Sequence, residues 1–125
     1  IKENVITKEA GFLETEILLK SAADMDAIFS ASDFSALGAM LCLQDMQVPV
    51  PGEIGVAGFA NEPFTELIKL TTVEQHSSEI GKSAARLLFE GIDHGGTGKM
   101  NTEVIIKHEL IIRNSTLKNK NYEIQ

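Results

Sequence analysis

Asp26-Ala27-Ile28-Phe29-Ser30-Ala31-Ser32-Asp33 and Glu53-Ile54-Gly55-Val56-Ala57-Gly58-Phe59-Ala60-Asn61 are two short apolar runs that each end in polar residues. A helix-length apolar segment joins them. Each run reads as a buried strand with a hydrophilic tip, and strand, crossover helix and strand make a parallel pair. Sheets of that kind take ligands in the crevice beyond the carboxyl ends of their strands. Ser32, Asp33, Ala60 and Asn61 are therefore expected along one edge. A carboxylate and an amide there suit the hydroxyls of a sugar-like ligand. Asp33 has the right chemistry for capping its helix as well.

Outward from this unit, the joining segment predicts a helix over 34–46. Leu37, Met40, Leu41 and Leu43, with Ala36, Ala39 and Cys42 between them, leave almost no polar face before Gln44. A helix apolar on all sides has to be covered on all sides. One side packs on the sheet, and the other is expected to meet a second subunit. Upstream, Thr7 is placed to cap a helix carrying Phe12, Leu13, Ile17, Leu18 and Ala22 toward the core, closed by Ala23 and Asp24. Pro49, Pro51 and Gly52 punctuate the turn into the second strand.

Downstream, residues 62–68 read as a loop or short helical turn with exposed apolar residues, followed by the β-branched run Thr71-Thr72-Val73. Ser77 is expected to cap a further helix whose stripe is Ile80, Ala84, Leu87 and Leu88, with Gly91 ending it. His94-Gly95-Gly96-Thr97-Gly98 reads as a surface loop. Residues 103–113 are strand-like, and 114–125 form a polar end expected to fray.

The 125 residues are 43% hydrophobic with no Trp and six Phe. That suffices for one ordinary domain, burying roughly two thirds of its unfolded surface. No apolar run approaches the ~20 residues that span a bilayer, and Ile1-Lys2-Glu3-Asn4 has no signal-peptide pattern. A cytoplasmic, membrane-free setting is the expectation. Cys42 stands alone on an apolar helix, as a buried thiol would.

Net charge is −7, and no Lys or Arg lies between Ser21 and Ile68. DNA affinity needs clustered cations that displace condensed counterions, so this surface would repel phosphate. Gly81-Lys82-Ser83 resembles the end of a phosphate-binding loop, but the pattern needs Gly at the position of His76. Gly52, Gly55 and Gly58 fail the dinucleotide fingerprint, because Gly55 and Gly58 fall within a strand. His76, His94 and His108 lie on different predicted elements without ligand spacing. Asp24 and Asp26 precede a strand that Asp33 follows, a separation of roughly 20 Å at ~3.3 Å per residue, too far to share a substrate. No catalytic pair, metal set or cofactor fingerprint is visible.

The wording of the chain also resembles a family. Asp26-Ala27-Ile28-Phe29, Ser32-Asp33 followed by Ala36-Leu37-Gly38-Ala39, Val50-Pro51, Gly58-Phe59, Leu70-Thr71-Thr72-Val73 with Gln75, Gly81, Ala84-Ala85 and Arg113-Asn114-Ser115-Thr116 are similar in order and spacing to the effector-binding domain of the lactose/galactose-repressor (LacI/GalR) transcription regulators. The resemblance runs from about Asn4 to Thr116. It implies a flavodoxin-like, periplasmic-binding-protein-like α/β fold, a parallel sheet flanked by helices, present here as an incomplete C-terminal fragment. In those terms residues 1–61 are part of the C-terminal lobe and 62–102 belong to the N-terminal lobe. Residues 103–116 return toward the C-terminal lobe, and 117–125 are a tail.

The resemblance further implies no chemistry and no cofactor. It implies a homodimer, a sugar or sugar derivative as effector, and DNA bound only through an N-terminal helix-turn-helix outside this chain. The positions of Ser32 and Ala60 are where relatives often carry Asn or Asp. Ser32 keeps a hydroxyl and Ala60 keeps nothing that hydrogen-bonds, which leaves Asn61, Asp33 and Gln75 as further contacts. Leu37, Met40, Leu41, Phe64 and Leu67 fall where relatives pair across a two-fold axis. Alternatives from other classes are a sugar-binding transport protein of the same fold and a small flavodoxin-like enzyme.

Overall fold

The computed structural model describes residues 6–21, 24–93 and 102–118. They divide into two compact units, residues up to Glu74 together with those from Leu110 onward, and residues Gln75–Glu109.

The first unit opens with α1 (Lys8–Ser21), whose first turn is capped as expected: Thr7 Oγ1 accepts from Ala10 N at 3.1 Å. Leu13 and Ile17, however, are exposed rather than core-facing, because the face that α1 turns to its neighbours is that of Gly11 and Thr15. Then come β1 (Ala27–Phe29), α2 (Asp33–Asp45) and β2 (Gly55–Ala57). β1 and β2 are parallel, with Ala27 beside Gly55, Ile28 beside Val56 and Phe29 beside Ala57. The expected strand, crossover helix and strand is therefore present, with strands shorter than the apolar runs that foretold them. After the short α3 (Phe64–Leu67) the chain passes into β3 (Thr72–Glu74). Thr71 bridges Ala57 in parallel, and Gly58 N and Ala60 N donate to Thr71 O and Val73 O, so β2 lies between β1 and the start of β3. β4 (Glu109–Ile111) pairs with β3 and is the one regular strand within 103–113 among the described residues.

The core forms where α2 lies over these strands. Ala36, Leu43, Ile54, Val56 and Leu70 are buried together, with Ile28, Met40 and Val48 packed against them. Full burial of a side chain such as Leu43 or Leu70 contributes on the order of 2 kcal/mol. α1 crosses α2 at very short range, because a Cβ at Gly11 would collide with the Ser35 backbone and one at Gly38 with the carbonyl of Lys8. Two glycines on facing helices permit that approach. The polar end expected to fray is instead anchored as far as Lys118. Asn114–Thr116 form a 3₁₀ turn with Ser115 buried, and Lys118 Nζ donates to Glu53 O at 2.7 Å.

The second unit is α4 (Ser77–Asp93) with residues 102–109 beside it. Ser77 is its first helical residue rather than its cap. His76, at φ 56°, sits before it, and the His76 carbonyl accepts from Glu79 N and Ile80 N. The helix also runs through Gly91 to Asp93 instead of ending there. No Cβ clash or left-handed turn makes Gly91 a terminator. Ile80, Ala84 and Leu87 of the predicted stripe line a groove with Val104 and Ile106, whereas Leu88 is exposed. The loop 94–98, Ala22, Ala23 and residues 119–125 lie outside the described residues. None of the described helices is long and apolar enough to cross a membrane.

Candidate functional site

The carboxyl ends of β1 and β2 deliver Ser32 and Asp33 from one strand and Ala60 and Asn61 from the next. Parallel pairing with a single crossover helix places both tips at one end of the sheet. Ser32, not Asp33, caps α2: its backbone is extended, and Ser32 Oγ accepts from Phe34 N at 3.2 Å and donates to Ile6 O at 3.2 Å.

Asp33, freed from the cap, turns inward and is 0% exposed. Its Oδ1 accepts from Thr72 Oγ1 at 2.6 Å and its Oδ2 from Glu62 N at 2.8 Å, while its own N–H donates to Phe59 O at 3.1 Å. A buried carboxylate demands such donors. Gly58 lies against it, and a Cβ there would collide with Asp33 Oδ1. The glycine inside the second run is therefore required by close approach, here of a side chain.

Ala60 and Asn61 form a left-handed turn, with φ 122° and 54°. Asn tolerates that region, whereas Ala stays there only where its surroundings over-determine the backbone. Several bonds do so. Ala60 N donates to Val73 O, Asn61 N to Thr72 Oγ1 at 3.2 Å, and Asn61 Nδ2 to Glu74 Oε2 at 2.9 Å. Asn61 Oδ1 accepts from Thr65 Oγ1 at 3.3 Å and Arg113 Nη2 at 3.1 Å.

Ser32, Asp33, Ala60 and Asn61 thus share one edge. Gln75 belongs to the second unit, half-buried, one residue beyond Glu74. A separate cavity of about 540 Å³ is lined by Ile6, Leu18, Ile28, Phe29, Ser30 and Ser35 among others, and none of these four residues lines it. Thr72, Glu74 and Arg113, which organise the edge, were not among the expected site residues. The signal for Thr72 was present: a hydroxyl in a buried β-branched run has to find a partner.

Along α2, Leu37 and Met40 are half-buried and Leu41 is exposed, while Leu67 of α3 is 82% exposed. Phe64 stacks obliquely on Phe34, ring centroids 5.1 Å apart. Leu37, Met40, Leu41, Val48, Val50 and Ile68 line an apolar groove of about 340 Å³.

Comparison with known proteins places this geometry. The family model described as a periplasmic binding protein-like domain matches residues 3–116. The HTH-type transcriptional regulator MalR of Streptomyces coelicolor is 32% identical over 93% of this chain and 33% of its own length. The HTH-type transcriptional repressor CytR of Escherichia coli is 35% identical over 88% and 32%. Among solved structures, a putative LacI-family regulator from Sanguibacter keddieii superposes with a TM-score of 0.80 at 32% identity, over 91% of this chain and 43% of that one. A LacI-family regulator from Enterococcus faecium with bound ribose does so with 0.76 at 30%, over 91% and 42%. The chain spans about a third of the length of the curated relatives it matches. These relatives are transcription regulators, not enzymes. The chain belongs to the periplasmic binding protein-like domain family, as part of the domain carried by LacI-family transcription regulators.

Proposed function

We propose that this chain is the ligand-sensing and dimerisation part of a bacterial, cytoplasmic transcription regulator. In the whole protein it binds a sugar or sugar derivative and thereby modulates DNA binding by an N-terminal helix-turn-helix. One observation carries the reading: two neighbouring parallel strands bring Ser32, Asp33, Ala60 and Asn61 to one edge, in a fold whose relative holds ribose. Ser32 and Asn61 offer polar groups at this edge, Ala60 adds an apolar contact, and buried Asp33 holds the strand tips in place. Gln75 is a further effector contact in this reading, carried over from the family resemblance, in which residues 1–61 belong to the C-terminal lobe and 62–102 to the N-terminal lobe. A regulator is favoured over a transport protein because the matching relatives are regulators.

Leu37, Met40, Leu41, Phe64 and Leu67 form the homodimer surface in this reading. Exposed leucines beside an apolar groove are what a subunit interface core presents. The test is calorimetric titration of the full-length protein with pentoses, hexoses and disaccharides, alongside binding to its own upstream DNA with and without sugar. Saturable binding of a sugar that changes DNA affinity is the expected result. Binding of neither sugar nor DNA overturns the reading.

A further inference from the structure

Arg113 stands where the chain re-enters the first unit after β4. Its guanidinium donates to three acceptors before, within and after α3: Leu70 O at 2.8 Å and Thr65 Oγ1 at 3.2 Å through Nη1, and Asn61 Oδ1 at 3.1 Å through Nη2. Its backbone is held too, since Arg113 N donates to Thr71 Oγ1 at 2.8 Å. On the far side of the same Asn61 amide, Nδ2 donates to Glu74 Oε2 at 2.9 Å. Glu74 is the last residue before the chain leaves for the second unit. One amide therefore lies between a cation on the returning passage and an anion on the outgoing one. Charge at both ends dictates which way it points.

We propose that Arg113 is a positioning residue for effector recognition. It fixes the left-handed Ala60–Asn61 turn by orienting the Asn61 amide, and with Glu74 it ties that turn to both passages of the chain. The inference rests on the function proposed above. It assigns Arg113 no contact with the effector. Its planar fork serves acceptors in different directions at once, which a Lys ammonium on a flexible stem does less well.

The test uses the full-length protein and a sugar that the wild type binds. Arg113→Gln is expected to weaken that sugar by about tenfold or more, the scale of a lost hydrogen bond to a charged group. Arg113→Lys is expected to fall between it and wild type. Asn61→Asp sets a carboxylate against Glu74 and loses affinity, and adding Glu74→Gln recovers part of it. A merely structural role would lower melting temperatures without that charge-specific recovery. Lys118→Gln removes a cation five residues on and leaves affinity unchanged.

Hydrogen exchange without sugar reads the same device directly. Amides of residues 60–62 exchange faster in Arg113→Gln and Arg113→Lys, while those of α1 keep their protection. Wild-type exchange and affinity in both Arg113 variants overturn the inference and leave the proposed function standing. A wild type that binds no sugar overturns both.

Discussion

Asp33 and Asn61 meet through a single hydroxyl: Thr72 Oγ1 donates to Asp33 Oδ1 at 2.6 Å and accepts from Asn61 N at 3.2 Å. The tips of two strands are thus joined by a residue of the third. Thr72→Val keeps the shape and removes both bonds, leaving a buried carboxylate oxygen without its donor. The expected loss is about 1–3 kcal/mol, read from urea denaturation, and Thr72→Ser should recover most of it.

Two glycine substitutions are expected to move stability in opposite directions. Gly38→Ala drives a methyl group into the Lys8 carbonyl and forces α1 from α2, at a cost of about 1–3 kcal/mol. Gly81 lies in α4 with nothing near its missing Cβ, so Gly81→Ala gains about 0.5–1 kcal/mol of helix propensity. Thermal unfolding of the two variants checks the sign of each.

Asn61→Ala removes the amide that holds the turn at the proposed effector edge, and Gln75→Ala removes the further contact proposed from the family resemblance. Each should weaken sugar binding by calorimetry, on the order of 1–2 kcal/mol. Unchanged affinity in both would remove the site assignment.

Leu67→Asp and Leu41→Asp place charges on exposed apolar positions without entering the core. If the complete protein forms the proposed homodimer, they should shift its sedimentation from dimer to monomer while preserving the circular dichroism of the fold. A dimer that persists in both variants would relocate the interface.

Cys42 is buried, and burial pushes its thiol up, with Glu16 and Asp45 adding to the effect. The folded state therefore holds the thiol proton more tightly than the unfolded chain does. Its contribution to stability is intact below the unfolded thiol range of about 8.5 and declines as pH rises past that range toward the folded value. Alkylation of the native protein should be far slower than after denaturation at the same pH.

The parallel pair was legible because apolar runs with polar tips, separated by a helix-length segment, leave few ways to connect. The Thr7 cap was legible for the same local reason. What stayed hidden depends on residues far apart in the chain. Asp33 is chemically suited to a cap, and only the approach of Thr72 and Glu62 N turns it inward. Ser77 reads as a cap because Ser prefers that position, yet His76 takes it in a left-handed conformation. Polarity made residues 114–118 read as frayed, whereas Ser115 and Thr116 spend their hydroxyls on Val56, Thr71 and Arg113. Composition measures affinity for water and is silent about such partners.

Ser115 Oγ donates to Val56 O at 2.6 Å and accepts from Thr71 N at 2.7 Å, although it lies 59 and 44 residues further along the chain. The seam between β2 and β3 is thus closed by a hydroxyl that the ribosome adds only after the whole intervening unit has been made. A nascent chain halted before that serine keeps a carbonyl and an amide unsealed at the heart of its earlier half. Truncation before Ser115 is therefore expected to cost more than the loss of a polar tail would, because it opens a seam inside the sheet.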